Sequence, residues 1–148
     1  MIQIIDIPQA PHHKAAWQVL FRAYGVFYKR DLAPELVETV WGWVNDPAHE
    51  LEGVLAVLEG APVGLAHFRR MPRTLTGQDV GFLDDLYVDP GARGHQVGEQ
   101  LIAHVSQVAR SRGWALVRWL TADDNYRART LYDRVAAKSH FNLYELTP

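Results

Sequence analysis

Phe82-Leu83-Asp84-Asp85-Leu86-Tyr87-Val88, then Asp89-Pro90-Gly91-Ala92, then Arg93-Gly94-His95-Gln96-Val97-Gly98 reads as an apolar strand, a tight loop and the start of a helix. A helix start presents up to four unpaired backbone N–H groups and about half a positive charge, so it attracts phosphate with few basic side chains. Arg93 adds a full charge at the loop's exit, and Asp84 and Asp85 place carboxylates just upstream. The arrangement suits an activated carrier held by a diphosphate, with its other end directed at an ionisable group. The same run also reads as a βα turn in which glycine serves geometry alone. Two other phosphate motifs are excluded. No Gly-x-x-x-x-Gly-Lys-Ser/Thr run occurs, and no Gly-x-Gly-x-x-Gly follows the first strand.

Around this stretch the chain has the make-up of one folded domain. Its 148 residues are enough to bury a core, and 48% hydrophobic against 22% charged residues describes a globular protein rather than a disordered one. A net charge of −2 gives no electrostatic footprint for nucleic acid or an anionic membrane. Cysteine is absent, which removes a thiol nucleophile, a disulfide framework and any thiolate metal site. The histidines are too scattered for a metal site, so no metal is expected. Met1 to Asp6 lacks a basic start and an apolar stretch of signal-peptide length, and no segment approaches a membrane span, which makes the cytoplasm the expected location.

Periodicity orders the remaining elements. Ile2, Ile4 and Ile7 mark a short strand, and Trp17, Leu20, Phe21 and Tyr24 form a helical stripe between His13 and Tyr28. Pro34 opens a second helix through Val44, which Asn45-Asp46-Pro47 stops. Strands over 50–58 and 63–70 flank a hairpin turn at Glu59-Gly60-Ala61-Pro62, and Pro72 to Asp79 reads as a loop. Past the opening stretch, Val97, Leu101, Val105 and Val108 predict a long helix with Gly113 as its left-handed cap. A strand over 115–121 follows, then a helix capped from Asp123-Asp124-Asn125, then a closing strand over 141–146. The fold class is α/β, a single mixed sheet flanked by helices.

Val88-Asp89-Pro90-x-x-Arg93-Gly94-x-x-Val97-Gly98, preceded by Leu83-Asp84-Asp85-Leu86 and followed by Asn125-x-x-Ala128-x-x-Leu131-Tyr132, resembles the GNAT superfamily of acetyl-CoA-dependent N-acetyltransferases. The clear likeness covers residues 80–136, and the rest agrees in element order. Asp84 to Val88, Arg118 to Thr121 and Ala128 to Asp133 look most like the branch of spermidine/spermine and yeast histone and polyamine acetyltransferases. The resemblance implies one N-acetyltransferase domain over 1–148, with 1–79 as the acceptor-site half and 80–148 as the acetyl-CoA-binding half. Its sheet is mixed and mostly antiparallel, with the strand at 82–88 splayed from the strand at 115–121.

The same resemblance implies roles. The N–H groups of Gly94, His95, Gln96, Val97, Gly98 and Glu99, with Arg93, would hold the pyrophosphate of acetyl-CoA. The backbone of Leu86, Tyr87 and Val88 would pair with the pantetheine arm, and Asn125, Tyr126 and Ala128 would line its far side. Tyr132 matches a tyrosine that protonates the departing thiolate, and Asp84 a carboxylate that orients or deprotonates the amine. If the strand is regular, Asp85 points to the opposite face. Tyr24, Tyr28 and His67 are further acceptor-site candidates, with His67 also a second candidate base. The expected activity is acetyl transfer to a primary amine, a polyamine or other small amine ahead of protein lysine or N-terminal amines. A non-catalytic acyl-CoA-binding module is the alternative, and a homodimer is implied by family likeness. Gln96 departs from the pattern, which usually has glycine there, so weaker or displaced pyrophosphate binding is expected. Ala136 replaces another frequent glycine.

Overall fold

The computed structural model describes residues 1–148. Strands β1 (Ile2–Asp6), β2 (Glu52–Leu58), β3 (Ala61–Arg73), β4 (Gln78–Val88) and β5 (Val117–Trp119) form one sheet in that order. The first four pair antiparallel and β5 pairs parallel to β4. Helices α1 (Lys14–Phe27) and α2 (Pro34–Asn45) cover one face, and α3 (Val97–Ser111) covers the other. Helix α4 (Tyr126–Val135) leans on the α3 side through Leu131 and Tyr132. No helix is long and apolar enough to cross a membrane.

The stripes explain the layers. Trp17, Leu20 and Phe21 of α1 and Val37, Val40 and Val44 of α2 pack on Leu55, Val57 and Leu65. On the far side Val97, Leu101, Ile102, Val105 and Ala109 of α3 pack on Val54, Ala56, Ala66, Phe68 and Leu83. Strands β2 and β3 are apolar on both faces because helices cover both. The β2–β3 turn is a two-residue hairpin with Glu59 and Gly60 both left-handed, at φ 51° and 81°, the form that matches the strands' twist. Gly113, at φ 73°, follows α3 as the expected left-handed cap.

The expected splay is present. Pairing of β4 with β5 covers Gly81–Val117, Phe82–Arg118 and Leu83–Trp119 and then stops, while β4 continues to Val88 paired only with β3.

Three expectations about the strands fail. The stretch 72–79 is not a loop: Pro72 pairs with Asp79 and Arg73 with Gln78, leaving a turn at Thr74–Gly77. Beyond Phe68 β3 has no β2 neighbour, so the N–H that proline lacks breaks no ladder on that side. The strand expected at 115–121 shrinks to three residues, although the Ala115 N–H still donates to Asp79 O at 3.2 Å. The closing strand at 141–146 does not form. Its apolar alternation finds only the short free edge of β5, and Phe141, Leu143, Tyr144 and Leu146 remain exposed.

Candidate active site

The pairing of β3 with β4 slips between His67 and Phe68. His67 faces Asp85 and Phe68 faces Leu83, which makes Asp84 the extra residue of a β-bulge. The bulge cancels the alternation expected of Asp84 and Asp85. Both carboxylates turn toward neighbouring side chains on one face of β3: Arg69 Nε donates to Asp84 Oδ1 and Oδ2 at 3.1 and 3.0 Å, and His67 Nδ1 lies 2.8 Å from Asp85 Oδ2.

Asp84 lines a small cavity with Tyr24, Tyr28, Leu83, Leu86, Trp119, Leu120 and Tyr132. The cavity sits where β4 and β5 part, so residues from α1, β4, β5 and α4 converge there. Tyr132 is held edge-on to Trp119, with ring centroids 5.4 Å apart. Burial, and then Tyr28, push its phenol up to about 12. Burial followed by the Asp85 carboxylate drives Tyr24 far above the ordinary phenol range and raises Tyr28 as well. Burial also pushes the Asp84 carboxyl above the ordinary carboxylate range, against the pull of Arg69. The cavity therefore holds phenols that stay protonated beside a carboxylate whose charge is only partly offset.

His67 lies elsewhere than the sequence placed it. It is fully buried, and the Trp17 indole N–H donates to its Nε2 at 3.0 Å. Indole only donates, so Nε2 must accept and the proton sits on Nδ1, donated to Asp85. With both ring nitrogens engaged and no exposure, His67 orients Asp85 and does not meet an acceptor. Sequence reasoning treated Trp17 only as core and missed Arg69. A histidine on an otherwise apolar strand opposite an aromatic helix stripe was the available signal for the first.

The loop before α3 is built for an anion. Gly94 and Gln96 are both left-handed, at φ 88° and 57°, which turns successive amides to one side. The N–H groups of Gly94, His95, Gln96, Val97, Gly98 and Glu99 have no acceptor within the protein, and Gln100 N–H is the first to close, on Gln96 O at 3.0 Å. Arg93 is exposed and makes no ion pair. Gly98 lets α4 approach, since a Cβ there would lie 3.2 Å from Leu131 Cδ2, and Arg134 Nη1 donates to Glu99 Oε2 at 3.0 Å. Beside the loop, Leu86, Tyr87 and Val88 pair with β3 and leave their other edge open. This combination fits a diphosphate with an amide-bearing arm. Across the gap Asn125 Nδ2 donates to Thr121 Oγ1 at 3.2 Å and forms no side-chain cap, Tyr126 is exposed, and Ala128 is half-buried. A larger groove among the end of α2, β2 and α3 lies apart from these residues, and its Glu52 is engaged by Arg112. No three His, Asp or Glu side chains gather as a metal-ligand set.

Known proteins share this architecture and sequence. The chain is 34% identical over 137 residues to the D-amino-acid N-acetyltransferase HPA3 of Saccharomyces cerevisiae, covering 91% of this chain and 85% of that protein. It is 33% identical over 76 residues to thialysine N-epsilon-acetyltransferase of Sus scrofa, covering 51% of this chain and 44% of that protein. The solved aminoglycoside N-acetyltransferase AAC(6')-Iy in complex with CoA superposes with a TM-score of 0.85 at 17% identity, covering 99% of this chain and 95% of that one. Because the family model described as Acetyltransferase (GNAT) matches residues 14–136, from α1 through α4, the chain belongs to the GNAT family of acetyltransferases.

Proposed function

We propose that this acetyltransferase moves the acetyl group of acetyl-CoA directly to the primary amine of a small molecule. The observation that carries the reading is the convergence of Asp84 and Tyr132 on one cavity where β4 leaves β5, beside a loop of unmatched amides. GNAT acetyltransferases use acetyl-CoA, and the two relatives above are named for small amine acceptors.

In this reading Arg93 and the amides from Gly94 to Glu99 hold the pyrophosphate. The open edge at Leu86, Tyr87 and Val88 pairs with the pantetheine arm, and Asn125, Tyr126 and Ala128 close its far side. A backbone N–H at Leu86 or Tyr87 polarises the thioester carbonyl, a role worth about 3 kcal/mol of barrier. Asp84 orients the incoming amine and accepts its proton directly or through water. The amine nitrogen bonds to the acetyl carbon, the carbon–sulfur bond breaks, and Tyr132 protonates the thiolate that leaves. Raising the phenol from 10.0 to about 12 adds about 3 kcal/mol to its full ionisation. Tyr132 therefore follows the developing thiolate charge rather than ionising ahead of it. Tyr24 and Tyr28 shape the acceptor side.

All of residues 1–148 form the one transferase domain in this proposal, with 1–79 on the acceptor side and 80–148 on the acetyl-CoA side. It works in the cytoplasm as a homodimer that covers the exposed apolar residues of 141–146, which sedimentation equilibrium tests. The direct test of function is CoA release from acetyl-CoA, followed by thiol titration with and without small amines. Amine-dependent release at one CoA per acetylated amine is expected. Tight acetyl-CoA binding with no amine dependence would identify a non-catalytic acyl-CoA module instead.

A further inference from the structure

Three side chains form a row across the open end of the sheet. Arg69 on β3 pairs with Phe82 on β4, and Phe82 pairs with Arg118 on β5. Paired residues in a sheet share a face. The Arg69 guanidinium lies 4.9 Å over the Phe82 ring, which fixes those two together. On β5, Val117 and Trp119 pack into the core on the α3 side, so Arg118 between them projects to the opposite face, with Arg69 and Phe82. Phe82 and Arg118 are only half-buried.

The row meets the acceptor side of the cavity at Asp84. Arg69 spends only its Nε on that carboxylate, and its two terminal nitrogens have no acceptor. Arg118 makes no ion pair and no side-chain hydrogen bond. Neighbouring strands are about 4.8 Å apart, so Arg69 and Arg118 start about 10 Å apart. Arg69 reaches across Phe82 and narrows that gap. Two guanidiniums stand against Asp84 and Asp85, so this face has no net negative charge with which to gather a polycation. Its charges are instead divided: carboxylate at the reacting end, unsatisfied guanidinium N–H groups beside it.

We infer that the acceptor is a primary amine that carries its own anionic group, a carboxylate or a phosphate. Arg118 and the terminal N–H groups of Arg69 bind the anion while Asp84 holds the amine toward Tyr132. Guanidinium suits either anion because its N–H groups form paired, charge-assisted hydrogen bonds. The inference rests on the transferase reading above, and it replaces the polyamine expected from sequence with an acceptor of mixed charge.

The test compares kcat/KM for matched pairs: alanine against ethylamine, and phosphoethanolamine against ethanolamine, with spermidine added. In the wild-type protein the anionic member of at least one pair is expected to be used at least tenfold better than its neutral partner, and the pair that responds tells carboxylate from phosphate. Arg118→Gln should shrink that preference at least tenfold and Arg118→Glu should reverse it, with calorimetry on acetyl-CoA showing that both variants are folded. Spermidine or the uncharged-tail amines used as well as the anionic ones would overturn the inference while leaving the transferase intact. The same conclusion follows if Arg118→Gln lowers both members of a pair equally. A protein that binds acetyl-CoA yet releases no CoA with any amine overturns the inference and the transferase reading together.

Discussion

Replacing Gln96 by glycine should make the protein more stable, and the size of the effect follows from backbone geometry. Gln96 stands at the N-cap of α3 with φ 57° and ψ 32°, in the left-handed region. For a residue with a Cβ that conformation costs about 1–2 kcal/mol. Glycine avoids the cost but releases more freedom in the unfolded chain, worth about 0.5–1 kcal/mol against it. The Gln96 side chain is exposed and makes no capping hydrogen bond, so its loss removes no contact of note. The Gln100 N–H bond to the carbonyl of Gln96 is backbone and survives. The net gain is about 0.5–1 kcal/mol, or roughly 1–4 °C in Tm for a domain of this size. Urea and thermal unfolding of wild type, Gln96→Gly and Gln96→Ala measure it. Alanine removes the side chain and keeps the strain, so it should sit within about 0.5 kcal/mol of wild type. Gly94→Ala, at φ 88° in open space, should destabilise by about 1 kcal/mol for the same reason. Calorimetry should show acetyl-CoA binding Gln96→Gly more tightly, since no side chain then stands in the amide loop. Equal stabilities for the alanine and glycine variants, or a lower Tm for glycine, would refute the strain argument.

Tyr132→Phe keeps the packing against Trp119 and removes the acid, so kcat should fall tenfold or more while acetyl-CoA affinity holds; unchanged turnover would remove Tyr132 from the mechanism. A phenol raised to about 12 keeps its proton until the pH approaches that value, so Tyr132 should give no alkaline decline in kcat between pH 7 and 10. A decline in that range that disappears in Tyr132→Phe would show that the phenol is not desolvated as described. Trp17→Phe strips the buried His67 Nε2 of its donor and leaves a void beside Phe21 and Trp41. It should cost about 2–4 kcal/mol by urea unfolding, and a loss under 1 kcal/mol would mean that the Trp17–His67 bond contributes little.

Local features were readable because they depend on residues close in the chain. The α1 and α2 stripes, the Glu59-Gly60 turn and the cap at Gly113 each need only a short window. Gln96 was legible as a misfit only against the family's glycine pattern, and the structure supplies the physical reason: a left-handed backbone at φ 57°, where a side chain is costly. The nonlocal features were not readable. Trp17 and His67 are 50 residues apart, and nothing in either segment announces the other. The strand through Pro72 depends on β2 ending at Glu52, which frees that side of β3. The alternation of Phe141, Leu143 and Tyr144 to Leu146 looks like a strand in isolation, but a strand needs an edge to pair with, and β5 offers three residues.

The bulge at Asp84 connects the two halves of the site. A regular β4 would send one of the two carboxylates to the α3 side, where Leu83 and Leu86 face the core, and would keep pairing with β5 as far as β5 allowed. The extra residue instead puts Asp84 and Asp85 with Arg69 and His67 on the α1 side, and it falls immediately after Leu83, the last residue of β4 that pairs with β5. Bulges increase local twist and bend the strand that carries them. One inserted residue therefore accounts for both the direction of the carboxylates and the place where the edge of Leu86 to Val88 opens. In the proposed mechanism the same distortion therefore sets the edge offered to the acyl carrier beside the carboxylate offered to the amine.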